Sequence, residues 1–281
     1  MKNYILKYVI IFTVFFASCT DVIDVEVPVA PPRLVIEASI DWEKGTPGNQ
    51  QVINLSLSTP YFDNLSEEPV RGAFIRIINN QDQSETLFSD QNDGSYATNE
   101  FVPVMNQSYT LEVVYENEIY LATETMTPAT HITQVFQSTD NGFDKNALEV
   151  NITFDDPKDE TNFYLTKFQR RGDLLQTLFD VKDEFTNGNE ILIFYEKLNN
   201  DDSGEEEFKP GDIVDISLYG ISNAYFNYIQ LLIQQSGGAG GPFSTIPAEI
   251  KGNCINVSKA ENYAFGYFRL AEVDKASYTF E

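Results

Sequence analysis

Residues 50–59 alternate strictly. Ile53, Leu55 and Leu57 fall on one face, and Val52, Asn54, Ser56 and Ser58 fall on the other. Side chains of an extended chain point to opposite faces in turn, so this spacing describes a strand with one buried face and fits no helix.

The habit recurs along most of the chain. Residues 33–40 are rich in β-branched and apolar side chains, and a turn cluster at 43–49 follows them. Further strands are predicted at 72–78, 85–88, 94–98, 108–115 and 118–125. Asp93-Gly94 and Glu116-Asn117 mark hairpin turns, where a left-handed backbone is needed. Seven short strands in this region make the pattern of a small sandwich. Met126-Thr127-Pro128-Ala129-Thr130 reads as a boundary, after which strands resume at 132–138, 147–155 and 162–170. Residues 173–198 fit no single period, although 190–197 read as strand, and 212–219 alternate cleanly.

One helix stands out, at 221–236. Ser222 or Asn223 can cap it, and Tyr225, Ile229, Leu232 and Ile233 fall on one stripe. The glycine-rich run 237–241 with Pro242 ends it. Strands at 254–258, 263–271 and 275–280 close the chain. The expectation is an all-β fold of two β-sandwich-like domains, 33–127 and 128–281, the second with one inserted α-helix.

Composition narrows the chemistry. Lys and Arg number 18 against 43 Asp and Glu, a formal net charge of −25. That charge repels phosphate backbones, which argues against a nucleic-acid partner. A single histidine, His131, excludes a His-rich metal centre and leaves one imidazole as a candidate base. No motif surrounds it, so it reads as a surface or interdomain residue. Acidic stretches 155–160 and 200–207 are candidate Ca²⁺ ligands but lack EF-hand spacing. No phosphate loop, dinucleotide glycine signature, HExxH or GxSxG elbow occurs. No catalytic residue, cofactor or metal ligand is assigned. Exposed tyrosines or Trp42 are candidates for stacking on sugars or anchoring a protein partner.

The N-terminus carries an address. Lys2 and Lys7 precede an apolar run from Val9 to Phe16, and Ala17 and Ser18 sit directly before Cys19. Residues 1–18 read as a signal peptide. Phe16-Ala17-Ser18-Cys19 resembles a bacterial lipobox, so Cys19 is the expected lipidation site and mature N-terminus. Losing Lys2 and Lys7 but no acid makes the mature chain more negative still. Cys254 is then the only mature thiol, and no intramolecular disulfide can form. Residues 19–32 hold acids just after Cys19 and then a proline-rich spacer, expected to tether the body to the outer membrane. Those acids resemble the surface-export signal of Bacteroidota lipoproteins.

Several segments follow one familiar order. Arg33-Leu-Val-Ile-Glu-Ala comes first, then Gln51-Val-Ile-Asn-Leu-Ser-Leu-Ser-Thr-Pro-Tyr-Phe and Val70-Arg-Gly-Ala-Phe-Ile. Asp93-Gly-Ser-Tyr, Ser108-Tyr-Thr-Leu-Glu-Val-Val-Tyr, Gly252-Asn and Gly266-Tyr-Phe complete it. Over residues 33–281 the chain resembles Bacteroidota outer-membrane lipoproteins classed as a domain of unknown function and commonly encoded beside TonB-dependent receptors. The stretch from Gly72 to Leu111 is also similar to transthyretin-like (carboxypeptidase-regulatory) domains, a likeness that implies a core position for Tyr109. The family resemblance implies a non-enzymatic accessory subunit of a TonB-dependent receptor at the cell surface. A stand-alone adhesin or glycan-binding lipoprotein is the alternative, and a carboxylate-dependent hydrolase a third class.

Overall fold

The alternating run folds as its spacing requires. The computed structural model describes residues 31–59, 68–158, 160–183, 188–199, 206–237 and 250–281. In it β2 (Gln51–Leu57) buries Ile53 and Leu55 and leaves Val52 and Asn54 outside. It lies antiparallel between β1 (Leu34–Glu43) and β6 (Ser95–Thr98), with the short β3 (Glu68–Pro69) alongside. The facing layer is β4 (Phe74–Asn79), β7 (Ser108–Tyr115) and β8 (Glu118–Thr125). Strand β5 (Glu85–Asp90) turns the corner between layers: its first residues pair with β4, and Ser89 and Asp90 pair with β6. Glu116 and Asn117 join β7 to β8 with φ of 49° and 63°, the backbone hand that matches the twist of a tight hairpin.

These layers enclose a first core that includes Ile36, Ile53, Ile77, Tyr96, Leu111 and Phe268. Each such side chain contributes roughly 1.5–3 kcal/mol by leaving water. Tyr96 and Tyr109 take their hydroxyls inside with partners supplied. Tyr96 donates to the Val70 carbonyl (3.0 Å) and accepts the Ala73 amide (3.1 Å). Tyr109, in the core as the transthyretin-like resemblance implies, accepts the Val104 amide (2.8 Å).

The second half pairs two sheets. One is β9 (Ile132–Ser138), β10 (Glu149–Asp155) and β13 (Glu190–Glu196), with β10 central. In the other, β11 (Phe163–Arg170) lies between β12 (Thr177–Lys182) and β14 (Ile213–Gly220). Ile152, Phe154, Phe168, Ile193 and Ile216 fill the space between them. Strand β12 falls in the stretch that showed no period. All but one of its side chains are half-buried, so no clean alternation marks it.

Helix α1 (Asn223–Gly237) covers the outer face of the second sheet. Ser222 caps it by accepting the Tyr225 amide (3.1 Å). Its buried stripe is Tyr225, Phe226 and Ile229, with Ile233 packed beside them; the predicted stripe included Leu232, which faces outward. Contact between the Phe226 and Phe163 rings (5.1 Å) turns residue 226 inward and leaves 232 out.

The two closing strands expected at 263–271 and 275–280 are one, β16 (Phe265–Thr279). It runs parallel to β1 and antiparallel to β14, while the two-residue β15 (Ile255–Asn256) pairs with β8. Phe268 and Leu270 enter the first core, Ala271 and Val273 lie under the helix, and Ala276 and Tyr278 pack on the second core. The apolar pattern breaks at Asp274 because the strand is passing between cores there. The Asp274 carboxylate accepts the Ile132 amide (2.8 Å) at the start of β9. Among the described residues the fold is thus all-β with two sandwich-like cores and one helix, and residues 32–281 form one compact unit.

Candidate functional site

The second sandwich is open along one side. Among the described residues β12 pairs only with β11, and β13 only with β10, so each sheet ends there on a free edge. Between the edges lies a groove of about 1050 Å³. Phe179 and Tyr195 meet in its floor with ring centres 6.2 Å apart, and Thr177 and Tyr195 share a hydroxyl hydrogen bond (3.1 Å). Leu192, Phe194 and Leu198 form one wall.

The outermost wall residue is Phe143, 86% exposed, its ring 6.0 Å from that of Phe194. An apolar ring this exposed needs a firm mount, and two carboxylates provide one. Glu149 and Glu196 face each other across β10 and β13. Glu149 accepts the Asn141 amide (2.8 Å) and the Ser138 hydroxyl (2.5 Å). Glu196 accepts the amides of Phe143 (2.8 Å) and Asp144 (3.0 Å). Both acids press against Gly142, where a Cβ would lie 2.5 Å from Glu196 and 2.6 Å from Glu149. Burial alone would raise the Glu149 pKa, but the donors from Ser138, Asn141 and Asn151 together hold it below the usual glutamate range.

Two further polar clusters sit beneath the helix. Arg269 on β16 is buried to 2% of its side-chain surface; its Nη2 meets Asp41 Oδ1 at 2.5 Å, and Asp41 is 34% exposed. The guanidinium lies 4.6 Å from the Tyr219 ring centre and 5.2 Å from that of Tyr225. Lys167 lies 4.8 Å from the Tyr219 ring, and burial, with the Arg269 charge adding, lowers its pKa to about 8. Near the helix N-terminus, Glu124 accepts the hydroxyls of Ser222 (2.9 Å) and Tyr267 (3.2 Å) and the Thr125 amide (2.9 Å). Burial pushes its pKa above the usual glutamate range against those donors.

The residues singled out from the sequence are dispersed. Cys19, the expected lipidation site, lies outside the described residues, as do 238–249 and 200–205. His131 stands 75% exposed with Nδ1 3.6 Å from Asp274. Asp156, from the first acidic stretch, is occupied by the Tyr164 hydroxyl (2.6 Å) and the Gly188 amide (3.1 Å). No group of three or more His, Cys, Asp or Glu positioned for a metal ion occurs among the described residues. Trp42 packs against the first core and donates to the Thr46 carbonyl (2.9 Å). Cys254 is buried, and burial pushes its thiol up to about 12. Among the described residues no helix is long and apolar enough to cross a membrane.

Sequence reading missed the seam. Its one available signal was apolar residues on both faces of 190–197, where Leu192 and Phe194 stand in positions that a solvent-facing strand fills with polar side chains.

Fold and site together define an all-β protein of two sandwich-like halves with a free-edged apolar seam in the second. The chain belongs to the family described as Domain of unknown function (DUF4249), which it matches over residues 20–277. No curated protein matches it. Among solved structures it is similar to the FN1–FN3 domains of chicken CNTN1, at 11% identity and a TM-score of 0.26 over 68% of this chain. The match spans 62% of that chain's length. A two fibronectin type-III domain segment from chicken tenascin is similar at 9% identity and a TM-score of 0.21, over 67% of this chain and 90% of that one. A chain from a cytokine receptor complex is similar at 6% identity and a TM-score of 0.26, over 68% and 85%.

Proposed function

We propose that this protein is a surface-exposed outer-membrane lipoprotein of the Bacteroidota, acting as a non-enzymatic binding subunit of a TonB-dependent receptor. The observation that carries the binding role is the seam. Exposed Phe143, Leu192 and Leu198 gather on one groove, and a carboxylate-bound loop holds Phe143 in place. Contiguous exposed apolar surface is costly in water and marks contact surfaces in proteins that keep it. The lipobox resemblance at Cys19, the acids after it and the proline-rich spacer support tethering at the outer membrane, with the folded body held above the lipid. The receptor partnership rests on the family setting that the sequence resembles.

Purification of the lipidated protein in mild detergent, followed by mass spectrometry, tests this reading. Recovery of a TonB-dependent receptor is expected, and its absence from repeated preparations would overturn the accessory role. Cys19→Ala is expected to move the protein out of the membrane fraction; a variant that stays bound refutes lipid anchoring. Protease added to whole cells is expected to cut the protein, and full protection would place it on the periplasmic face.

A further inference from the structure

Strand β13 lacks the features that normally keep an edge from pairing. Edge strands in soluble proteins are blunted by inward charges, proline, bulges or extreme shortness. Between Glu190 and Glu196 this strand reads Ile-Leu-Ile-Phe-Tyr, apolar on both faces, with an unbroken register against β10. The opposite edge, β12, carries Asp180 and Lys182, and Asp180 accepts a hydrogen bond from Gln230 of the helix (3.1 Å). The two edges of the seam are therefore unequal, and among the described residues only β13 is left as a template.

From this we infer that the seam is a strand-addition site: an extended segment of a partner protein pairs with the free edge of β13. One row of its side chains enters the groove over Phe179 and Tyr195, and the other meets Leu192, Phe194 and Phe143. Backbone hydrogen bonds supply affinity and the alternating pockets supply selectivity. Seven residues of β13 span about 23 Å at roughly 3.3 Å each, so the added strand has five to seven residues.

Charge selects the occupant. Glu190 and Glu196 stand at the two ends of β13, and Asp180 and Glu196 line the groove. Lys197, the nearest cation after the strand, is neutralised by Asp173 at 2.5 Å. A segment with basic residues flanking an apolar, β-branched centre is complementary. A second copy of this chain would bring the same acid-flanked edge and a net charge of −25, so the site takes a different protein.

The inference rests on the binding-subunit reading, and the test separates the two. The full-length protein in mild detergent is titrated with four labelled synthetic peptides. One has a Val/Thr-alternating seven-residue centre with two lysines at each end; the second has glutamates at the ends. The third and fourth are the lysine peptide with alternate backbone amides N-methylated along one edge or along the other. Binding is read by fluorescence anisotropy, and amide exchange of residues 190–196 by mass spectrometry. The lysine peptide is expected to bind and to slow exchange at 190–196 while leaving 213–220 unchanged. Glutamate ends, or N-methylation of the pairing edge, should weaken it at least tenfold. Leu192→Lys should do the same with an unchanged unfolding temperature. Absence of protection at 190–196, or equal binding by the two methylated peptides, would overturn the inference. So would protection that appears with protein concentration and no peptide, which would assign the edge to a second copy. If Leu192→Lys still recovers the receptor, strand addition fails while the accessory role stands. If no receptor is recovered but the peptide protects 190–196, the reverse holds.

Discussion

Replacing Asp41 by Asn should destabilise the protein through a residue the substitution does not touch. Arg269 is almost wholly out of water; among the described residues Asp41 is its one carboxylate partner, and its Nε and Nη1 make no hydrogen bond. Removing one member of a buried pair strands the other charge and costs about 3–5 kcal/mol. Two features reduce that figure here. Asp41 is one-third exposed, so water already screens part of the attraction, and Asn keeps an oxygen near Nη2. The expected loss is roughly 2–3 kcal/mol, or a fall of about 4–12 °C in unfolding temperature for a chain of this size. The informative comparison is the double variant Asp41→Asn/Arg269→Met. Methionine fills similar space between Tyr219 and Tyr225 and removes the stranded charge, so the double variant should return to within about 1 kcal/mol of the parent. Urea unfolding monitored by circular dichroism measures all three proteins. A double variant no more stable than Asp41→Asn alone would refute the reasoning, because the loss would then lie in packing or at Asp41 itself.

Three other outcomes follow from the geometry. Gly252→Ala should prevent native pairing at the start of β16, since a Cβ there would lie 1.3 Å from the Gly266 carbonyl oxygen; yield of folded protein and unfolding temperature measure it. Cys254 should stay unlabelled by a maleimide at pH 8 until denaturant is added, because burial holds the thiol up to about 12; rapid labelling of the native protein contradicts this. Burial raises the folded pKa of Glu124, so that group's contribution favours the folded state most below the unfolded glutamate pKa and is lost as pH rises through the raised folded value. Glu124→Gln should therefore be more stable than the parent at pH 7, with the gain shrinking on acidification, as urea midpoints across pH would show.

Where one face of a strand met a core and the other met water, the sequence was readable, as at β2 and the β7–β8 hairpin. The helix was readable from its stripe, although its rotation was set by Phe163, a residue 63 positions away in the chain. Strand β12 was hidden because half-burial on both sides erases alternation. Strand β16 looked like two because it changes cores at Asp274. The motif residues Gly252-Asn and Gly266 gain a physical meaning only in space. Asn253 uses its side-chain amide as a strand would, donating to the Phe268 carbonyl and accepting its amide, each at 2.8 Å. Gly252 and Gly266 supply the close approach that this needs. The seam lay beyond periodicity altogether, since it depends on which two edges the folded sheets leave bare.

The shared last strand also governs when the protein can become itself. Val35 aligns with Phe265, and Glu43 with Val273, so β1 waits for β16. Pairings this remote in sequence close slowly, because a long loop must be ordered before any contact repays it. Neither half can complete its core until β16 has been made. If residues 1–18 direct export as proposed, this delay is an advantage. Machinery that passes unfolded polypeptide across a membrane would then receive a substrate that cannot fold prematurely, with β16 delivered after the strands it closes.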